Sequence, residues 1–446
     1  MSFNPSPPTI MHIDLNSCFA SVEQQANPRL RGKPIAVAAY TTGNGCILAP
    51  SVEAKRFGVK TGMRVRDGKA LCPDLIVLSS DPWKYRYVNR KLLALLREYS
   101  SDVAVQSIDE MVMDMAGMPS LEGKLGTLTG LNLVKKQGST LFNAMLSIAY
   151  EIKRRIKEEI GDWLTVSIGI APNRFLAKTA ACLHKPNGLD IITKENIEEI
   201  LTGLRLEDLC DIKHGNSGRL RLFGITTTRA FYRATAKELE TAFHSIVGHH
   251  WWMRLHGWEI DDRQFDRKSF GHSYALYKPY TPLEKPVQQI LSQLVTKMGR
   301  RLRTNGYQAL GIHVSILYVD SSFWHHGQKV VSPLFSDSDL YEASYRVLEK
   351  ASIKPVRILS VSCFHLSRDL YQQQTLFVQE QRKERLTQAI DAIADRWGDF
   401  AVTSGRMLSM EARVLDRIAF GGVAELEEFV FQERFQERVA KDYLIV

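Results

Sequence analysis

The first 170 residues alternate between strand-like and helix-like patterns of apolar residues. Residues 10–13 form a short apolar run, which predicts a buried strand, and residues 17–25 have the pattern of a helix. Further strands are predicted over 33–39, 75–79 and 164–170, and a helix over 142–160. This alternation predicts an α+β or α/β first domain.

A hairpin is predicted where two apolar runs meet. Residues 103–108 and 111–115 are rich in β-branched residues and methionine, and Asp109 and Glu110 lie between them. The hairpin would bring two carboxylates to the end of a strand pair.

Other segments of the chain have a different organisation. Residues 116–141 contain five glycines and a Lys-Lys pair, which indicates a surface insertion, and residues 171–255 are predicted to be mainly helical. A small α+β domain follows, with helices and strands predicted in the order 285–303, 312–318, 340–350 and 355–366. One more helix is predicted over 379–396.

Composition and charge narrow the function. The chain has 446 residues, of which 44% are hydrophobic and 24% charged, so a disordered or fibrous protein is excluded. Its net charge is +9 and its pI is about 9.1. Residues 1–369 carry 48 basic and 36 acidic side chains, whereas residues 370–446 carry 10 and 13. An extended basic surface of this kind favours a polyanion such as nucleic acid, although many proteins are mildly basic without such a partner.

The cysteines and the N-terminus point to the cytoplasm. None of the six cysteines forms a C-x-x-C pair, so neither a zinc site nor a disulfide framework is indicated. The first residues lack a secretory signal pattern, and no run reaches 18 apolar residues, so we expect a soluble protein without a membrane partner.

Asp14, Asp109 and Glu110 are the candidate catalytic residues. Asp14 directly follows the apolar run at 10–13, and the other two lie at the predicted hairpin. Carboxylate oxygens are the ligands that hard dications such as Mg²⁺ prefer, and paired ions require shared carboxylates. The alternative is ordinary solvated or capping acidic residues.

Six collinear motifs resemble the Y-family translesion DNA polymerases. They are I-D-L-N-S-C-F-A-S-V-E at 13–23, E-A-K-R-F-G-V-K-T-G at 53–62, S-I-D-E at 107–110, S-I-G-I-A at 167–171, L-A-K…H-K-P-N-G at 176–188 and K-S-F-G-H at 268–272. The resemblance covers residues 10–378. It implies an α+β, right-hand polymerase with palm, fingers, helical thumb and an α+β little-finger domain.

The resemblance also implies domain bounds. These are a palm over 1–24 and 82–172, fingers over 25–81, a thumb over 173–258, a linker over 259–268, a little finger over 269–378 and an acidic helical tail over 379–446.

The implied cofactor is a pair of Mg²⁺ ions, with Mn²⁺ as an alternative. Asp14, Asp109 and Glu110 match the family's catalytic carboxylates, and the main-chain carbonyl of Leu15 is a further ligand. One ion activates the primer 3′-hydroxyl and the other binds the triphosphate. Glu23, in the first motif, is expected only to cap or solvate its helix.

The implied nucleotide site involves five residues, namely Ser17, Cys18, Phe19, Lys55 and Lys185. Amides of Ser17, Cys18 and Phe19 at a helix N-terminus face the phosphates, and Lys185 contacts the triphosphate. The Phe19 ring matches the family's steric gate against ribonucleotides, although a helix position of this kind alone favours a core residue.

The fingers depart from the commonest pattern. Val52-Glu53-Ala54-Lys55 replaces the usual Tyr-Glu-Ala-Arg, as in the branch that contains the catalytic subunit of DNA polymerase V. Lysine cannot form the bidentate phosphate contact of arginine, which weakens the nucleotide-binding assignment of Lys55.

DNA contacts are predicted in the thumb and little finger. The thumb lacks the glycines of the family's usual helix-hairpin-helix, whose amides hold a DNA phosphate. Lys213 and Arg219 are expected to contact phosphate through their side chains instead, and a solvated helix end is the alternative. A second group, late in one helix, either contacts phosphate or complements the helix C-terminus: Lys297, Arg300 and Arg301. The segment 373–377 resembles a sliding-clamp-binding pentapeptide, with Gln373, Leu376 and Phe377 as its defining residues.

The expected function is template-directed DNA synthesis past damaged bases with low fidelity, by a monomer in the bacterial cytoplasm associated with the nucleoid. Its partners are primer–template DNA, deoxynucleoside triphosphates and the sliding clamp. A catalytically silent DNA-binding scaffold of a mutagenic polymerase complex is the alternative, and a nucleotide cyclase is a more distant one. The complete carboxylate set argues against the scaffold, and the thumb and little-finger motifs argue against the cyclase.

Overall fold

The computed structural model describes residues 2–116, 140–262, 267–368, 378–397 and 400–408. These residues form two compact units, 2–262 and 267–408, and the division falls within the linker predicted over 259–268. The predicted insertion lies almost entirely outside the described residues. Within the described ranges, no helix combines the length and the apolar character needed to cross a membrane.

The first unit contains eight strands in its described part. They are β1 (Ile10–Leu15), β2 (Ile35–Ala38), β3 (Ile47–Pro50), β4 (Ile76–Ser79), β5 (Val103–Val105), β6 (Glu110–Asp114), β7 (Val166–Ala171) and β8 (Leu189–Ile191). The strands form a central sheet in the order β5-β6-β1-β7-β8 and a small sheet in the order β3-β2-β4.

Eleven helices accompany these strands in the described part of the unit. They are α1 (Cys18–Ala26), α2 (Val52–Arg56), α3 (Val65–Leu71), α4 (Pro82–Arg97), α5 (Thr140–Arg155), α6 (Arg174–Leu183), α7 (Ile197–Thr202), α8 (His214–Leu222), α9 (Thr228–Arg233), α10 (Ala236–Phe243) and α11 (Val247–Leu255). The predicted hairpin, the helix at 142–160 and the helical segment at 171–255 are all confirmed.

Strand β1 is the centre of the first unit. All six of its residues are buried, and it pairs antiparallel with β6 on one side and β7 on the other. Apolar residues of α1, α4 and α5 form one core with residues of this sheet, among them Phe19, Leu92 and Ile152. Because β1 is inside the sheet, the end of the strand is fixed by hydrogen bonds on both sides.

The small sheet has its own core, built from short side chains. Ala36, Ile47 and Val59 belong to it and are at most 1% exposed. Strand β3, which has only four residues, was not predicted. The helices α7 to α11 bury a third core, which includes Phe231 and Trp251.

The second unit is a four-stranded antiparallel sheet with helices. Its elements are β9 (Ser269–Tyr280), α12 (Lys285–Thr304), β10 (Gln308–Tyr318), β11 (Phe323–Leu334), α13 (Asp337–Leu348), β12 (Val356–Ser367) and α14 (Val378–Trp397). The strand order is β11-β10-β12-β9. Strands β9 and β11 were not predicted. Strand β11 lies at the edge of the sheet, buries few residues and lacks a clear apolar alternation.

Helix α14 belongs to this second unit. Asp391 forms an ion pair of 2.6 Å with Arg303 of α12, and Asp395 forms one of 2.6 Å with Arg300. On α13, Asp339 pairs with Lys383 at 2.8 Å. The acidic residues of the predicted tail helix are therefore used within the protein, where they neutralise basic residues of α12.

We predict that Gly169→Ala destabilises the first unit. Gly169 lies on β7 where α6 crosses it, and a Cβ atom there would be 2.0 Å from the Ala177 carbonyl oxygen and 2.2 Å from the Ala181 nitrogen. Because backbone rather than a flexible side chain must move, we expect a loss of about 1–3 kcal/mol in the free energy of unfolding, measured by urea titration.

The matched control is Gly218→Ala. Gly218 lies inside α8, and a Cβ atom there meets nothing within 4 Å. Alanine should stabilise this helix by about 0.5–1 kcal/mol. Equal unfolding midpoints for the two variants would contradict the close packing of α6 on β7.

Candidate active site

The three candidate carboxylates meet at one end of β1. Asp14 is in register with Glu110 of the neighbouring strand β6. The amide of Leu15 donates a 2.9 Å hydrogen bond to the carbonyl of Asp109, which fixes the β5–β6 connection beside β1. The Ser107 hydroxyl donates to Asp109 Oδ1 at 2.6 Å and thereby holds that carboxylate. Pairing of the strands therefore brings together residues that are 95 positions apart.

Burial makes these carboxylates costly to ionise. Asp14 is only 6% exposed, and burial raises its pKa to about 6 despite the neighbouring Lys185. Burial also raises the pKa of Asp109. For Glu110, burial acts in the same direction, but electrostatic interactions with His12, Lys178 and Lys185 outweigh it and lower the pKa. Added positive charge would favour the ionised form of all three.

Two lysines supply part of that positive charge. Lys185 Nζ donates to Asp14 Oδ2 at 2.6 Å, and Lys178 Nζ donates to Glu110 Oε2 at 2.7 Å. The Asp14 and Glu110 side chains are 8% and 18% exposed, so both pairs are shielded from solvent. Each ammonium group therefore compensates one carboxylate.

Asn16 anchors the loop that carries Lys185. Its Oδ1 atom accepts a 2.7 Å hydrogen bond from the Asn187 amide, and its Nδ2 atom donates to Ser167 Oγ at 2.9 Å. The Gly188 amide also donates to Ser167 Oγ. The H-K-P-N-G motif is thus fastened to the ends of β1 and β7, which explains how Lys185 reaches Asp14.

A cavity of about 530 Å³ opens over the carboxylates. It is lined by site residues that the sequence predicted, namely Asp14, Leu15, Ser17, Cys18, Phe19, Lys55, Asp109, Glu110 and Lys185. Arg56 and Thr61 also line it, and neither was singled out from the sequence. The cavity is large enough for a small ligand that carries several negative charges.

Phe19 is both a wall of this cavity and a core residue. Its ring is 1% exposed and stacks on Tyr85, with ring centroids 4.2 Å apart and an angle of 12° between the planes. The two alternatives considered for Phe19 are therefore compatible. The ring is held rigidly from behind, which is what a steric barrier requires.

Glu23 is not simply a solvated helix residue, so that expectation was wrong. It is 7% exposed, accepts a hydrogen bond from the Tyr85 hydroxyl at 2.9 Å and pairs with Lys84 at 2.8 Å. Because Tyr85 stacks on Phe19, Glu23 helps to hold the Phe19 ring through Tyr85.

Helix α1 begins directly at the cavity. Its N-cap residue, Ser17, has the left-handed backbone conformation, with φ 50° and ψ 41°, and its side chain does not cap the helix. Residues other than glycine rarely adopt this backbone conformation, and those that do cluster at functional sites. The first amides of α1 have no capping side chain and can meet an anion in the cavity.

Lys55 lies on α2 and lines the same cavity as the carboxylates. Desolvation and the charge of Lys185 lower the pKa of its ammonium group. Two lysines that face one cavity disfavour each other's charge unless an anion lies between them.

The basic residues predicted to bind DNA have different environments. Lys213 and Arg219 are exposed at the start and in the body of α8. In the second unit, Arg300 pairs with Asp395, Arg301 Nη1 donates to the Gly271 carbonyl at 3.2 Å, and Lys297 lies over the Phe400 ring. The DNA-binding role of all five stays a prediction, and Gln373, Leu376 and Phe377 lie outside the described residues.

The sequence also did not identify His12, Tyr85 and Lys178, which contribute to the site through their neighbours. His12 precedes Asp14 by two positions on a strand, so the strand period alone places both on the same face. Lys178 is the lysine of the L-A-K motif, and its partner Glu110 could not be identified without the fold. Tyr85 gave no local signal, because its contact with Phe19 joins separate helices.

The site fits a divalent cation chemically. It contains three partly buried carboxylates, and an unpartnered buried imidazole, that of His12, lies beside two of them. Oxygen-rich sites of this kind suit Mg²⁺ and Mn²⁺.

Comparisons with known proteins agree with this geometry. The sequence model of the impB/mucB/samB family matches residues 13–182, and the model of that family's C-terminal domain matches residues 267–376. The chain is 31% identical over 400 residues to DNA polymerase IV of Pelotomaculum thermopropionicum, covering 88% of this chain and 94% of that protein. It is 29% identical over 422 residues to DNA polymerase IV 2 of Bacillus subtilis, covering 92% and 97%.

Two solved structures have the same fold. A Y-family DNA polymerase chimera superposes with a TM-score of 0.65 at 23% identity, covering 80% of this chain and 98% of that one. The insertion ternary complex of Dbh DNA polymerase gives a TM-score of 0.51 at 23% identity and the same coverage. The right-hand α+β fold expected from the motifs is thereby confirmed. The family models, the relatives and the shared fold together show that the chain belongs to the Y family of DNA polymerases.

Proposed function

We propose that this chain extends a DNA primer past damaged template bases with low fidelity, by nucleotidyl transfer that depends on two Mg²⁺ ions. The chain belongs to a family of DNA-directed DNA polymerases, and the proposal adds the type of template, the fidelity and the role of the ions. Cytoplasmic location near the nucleoid and action as a monomer belong to the same proposal.

The observation that carries the proposal is the convergence of Asp14, Asp109 and Glu110 at one end of β1. A scaffold protein has no need for three carboxylates that are buried enough to raise the pKa of two of them. Such an arrangement is unfavourable without cations, and two lysines compensate it only in part.

Asp14, Asp109, Glu110 and the Leu15 carbonyl are the groups that would hold the ions. When bound, the ions would lower the pKa of the primer 3′-hydroxyl and neutralise charge on the triphosphate. Ser107 keeps Asp109 oriented through its 2.6 Å hydrogen bond. Lys185 and Lys178 hold the Asp14 and Glu110 side chains in their positions.

The triphosphate is proposed to lie between α1 and α2. Amides of Ser17, Cys18 and Phe19 donate to phosphate oxygens at the N-terminus of α1. Lys55 and Lys185, which both line the cavity, contribute point charges. The Phe19 ring excludes the ribose 2′-hydroxyl, since Tyr85 prevents it from moving away.

DNA and the sliding clamp are the proposed macromolecular partners. Lys213 and Arg219 are exposed and can contact phosphate, whereas Lys297, Arg300 and Arg301 would first have to exchange their present partners. Contacts to phosphates predict sequence-independent binding that weakens with salt. Residues 373–377 are the proposed clamp-binding segment.

We predict that Asp109→Ala lowers the rate of nucleotide addition by at least about a hundredfold, because loss of an ion ligand removes several kcal/mol of charge stabilisation in the transition state. Primer extension measures the rate, and fluorescence anisotropy measures binding to primer–template DNA. DNA binding should be nearly unchanged, since the Asp109 carboxylate is proposed to bind ions and not DNA.

Asp74→Ala is the matched control. Asp74 is an exposed aspartate between α3 and β4, and its replacement should leave both measurements at the wild-type level. Nucleotide addition by Asp109→Ala at the rate of this control would refute the proposed role of the carboxylates.

We further predict that Phe19→Ala raises the ratio of ribonucleotide to deoxynucleotide incorporation by at least about tenfold, because it opens space for the 2′-hydroxyl. Single-nucleotide incorporation assays measure this ratio. Tyr85→Phe keeps the stacked ring and removes only the hydroxyl that donates to Glu23, so the ratio should rise far less. An unchanged ratio in Phe19→Ala would mean that Phe19 is a core residue only.

A further inference from the structure

His12 is a buried imidazole without a hydrogen-bonding partner. Its ring is 2% exposed, and neither ring nitrogen has a partner among the described residues. Leaving a buried polar group unsatisfied costs about 1–3 kcal/mol, so such a group requires an explanation.

The neighbours of His12 are acidic. The strand period places His12 and Asp14 on one face of β1, and Glu110 lies beside them on β6. One ring nitrogen of His12 and one carboxylate oxygen of each acidic residue all lie within 4.8 Å of one another. This is the one group of three or more metal-ligating side chains found in the described part of the chain.

The three side chains differ in how their charge is compensated. Lys185 holds Asp14 and Lys178 holds Glu110, whereas His12 has no polar contact. A cation that binds all three would satisfy the imidazole and add charge between the two carboxylates. First-row ions bind imidazole nitrogen at about 2.0–2.1 Å, so small side-chain rotations are needed to close the site.

We propose that His12, Asp14 and Glu110 form a nitrogen–oxygen site for a first-row transition-metal dication such as Zn²⁺. An imidazole ligand favours such ions, whereas Mg²⁺ prefers oxygen ligands and retains its water. The site shares Asp14 and Glu110 with the proposed magnesium site. Bound Zn²⁺ therefore competes with Mg²⁺ and inhibits nucleotide addition, a consequence that rests on the proposed function.

The binding itself is tested without activity. Isothermal titration of the full chain with Zn²⁺ in excess Mg²⁺ should detect one tight site, and His12→Phe should weaken that site by on the order of tenfold or more. Glu110→Gln should weaken it as well. His326→Phe is the matched control, because His326 lies in the second unit on the exposed strand β11 and should not affect this site.

Circular dichroism of each variant shows whether it is folded. If phenylalanine does not fit in the sheet, His12→Val serves as a smaller replacement with the same expected loss. A folded His12 variant that binds Zn²⁺ like the wild type would overturn the proposal. Failure of the wild type to extend primers with Mg²⁺ would overturn the proposed function instead, and would leave the Zn²⁺ titration unaffected.

Discussion

The structure depends on concentrating negative charge at one buried point. Asp14, Asp109 and Glu110 converge there because β1 pairs with β6 in a single register and because the Leu15 amide binds the Asp109 carbonyl. Like charges at short distance in a poorly solvated place repel each other, and burial raises the pKa of two of them. Lys185 and Lys178 relieve this repulsion in part, and divalent cations would complete the compensation.

Much of the surrounding structure holds this cluster of carboxylates and its lysines in position. Gly169 lets α6 approach the sheet closely enough for Lys178 to reach Glu110, and Asn16 fastens the loop that bears Lys185. Tyr85 and Glu23 hold the ring of Phe19, which is a wall of the same cavity. Charge compensation and steric selection are therefore built on the same sheet.

The sequence predicted most elements that have a strong apolar period, and it found the three carboxylates. It missed β11, which is an edge strand with few buried residues, and β3, which lies in a short core of small side chains. It also expected Glu23 only to cap or solvate its helix, because a contact with Tyr85 62 positions away has no local signature. Residues that are identified by their own motif could be predicted, whereas those that act through a distant partner could not.

Primer extension by the wild-type protein on undamaged and abasic templates tests the central claim most directly. If the carboxylates serve ion-dependent nucleotidyl transfer, the protein will add deoxynucleotides on both templates with Mg²⁺ and on neither with a chelator. A protein that binds primer–template DNA but adds no nucleotide to either template, with Mg²⁺ or Mn²⁺, would contradict the account and favour a silent scaffold.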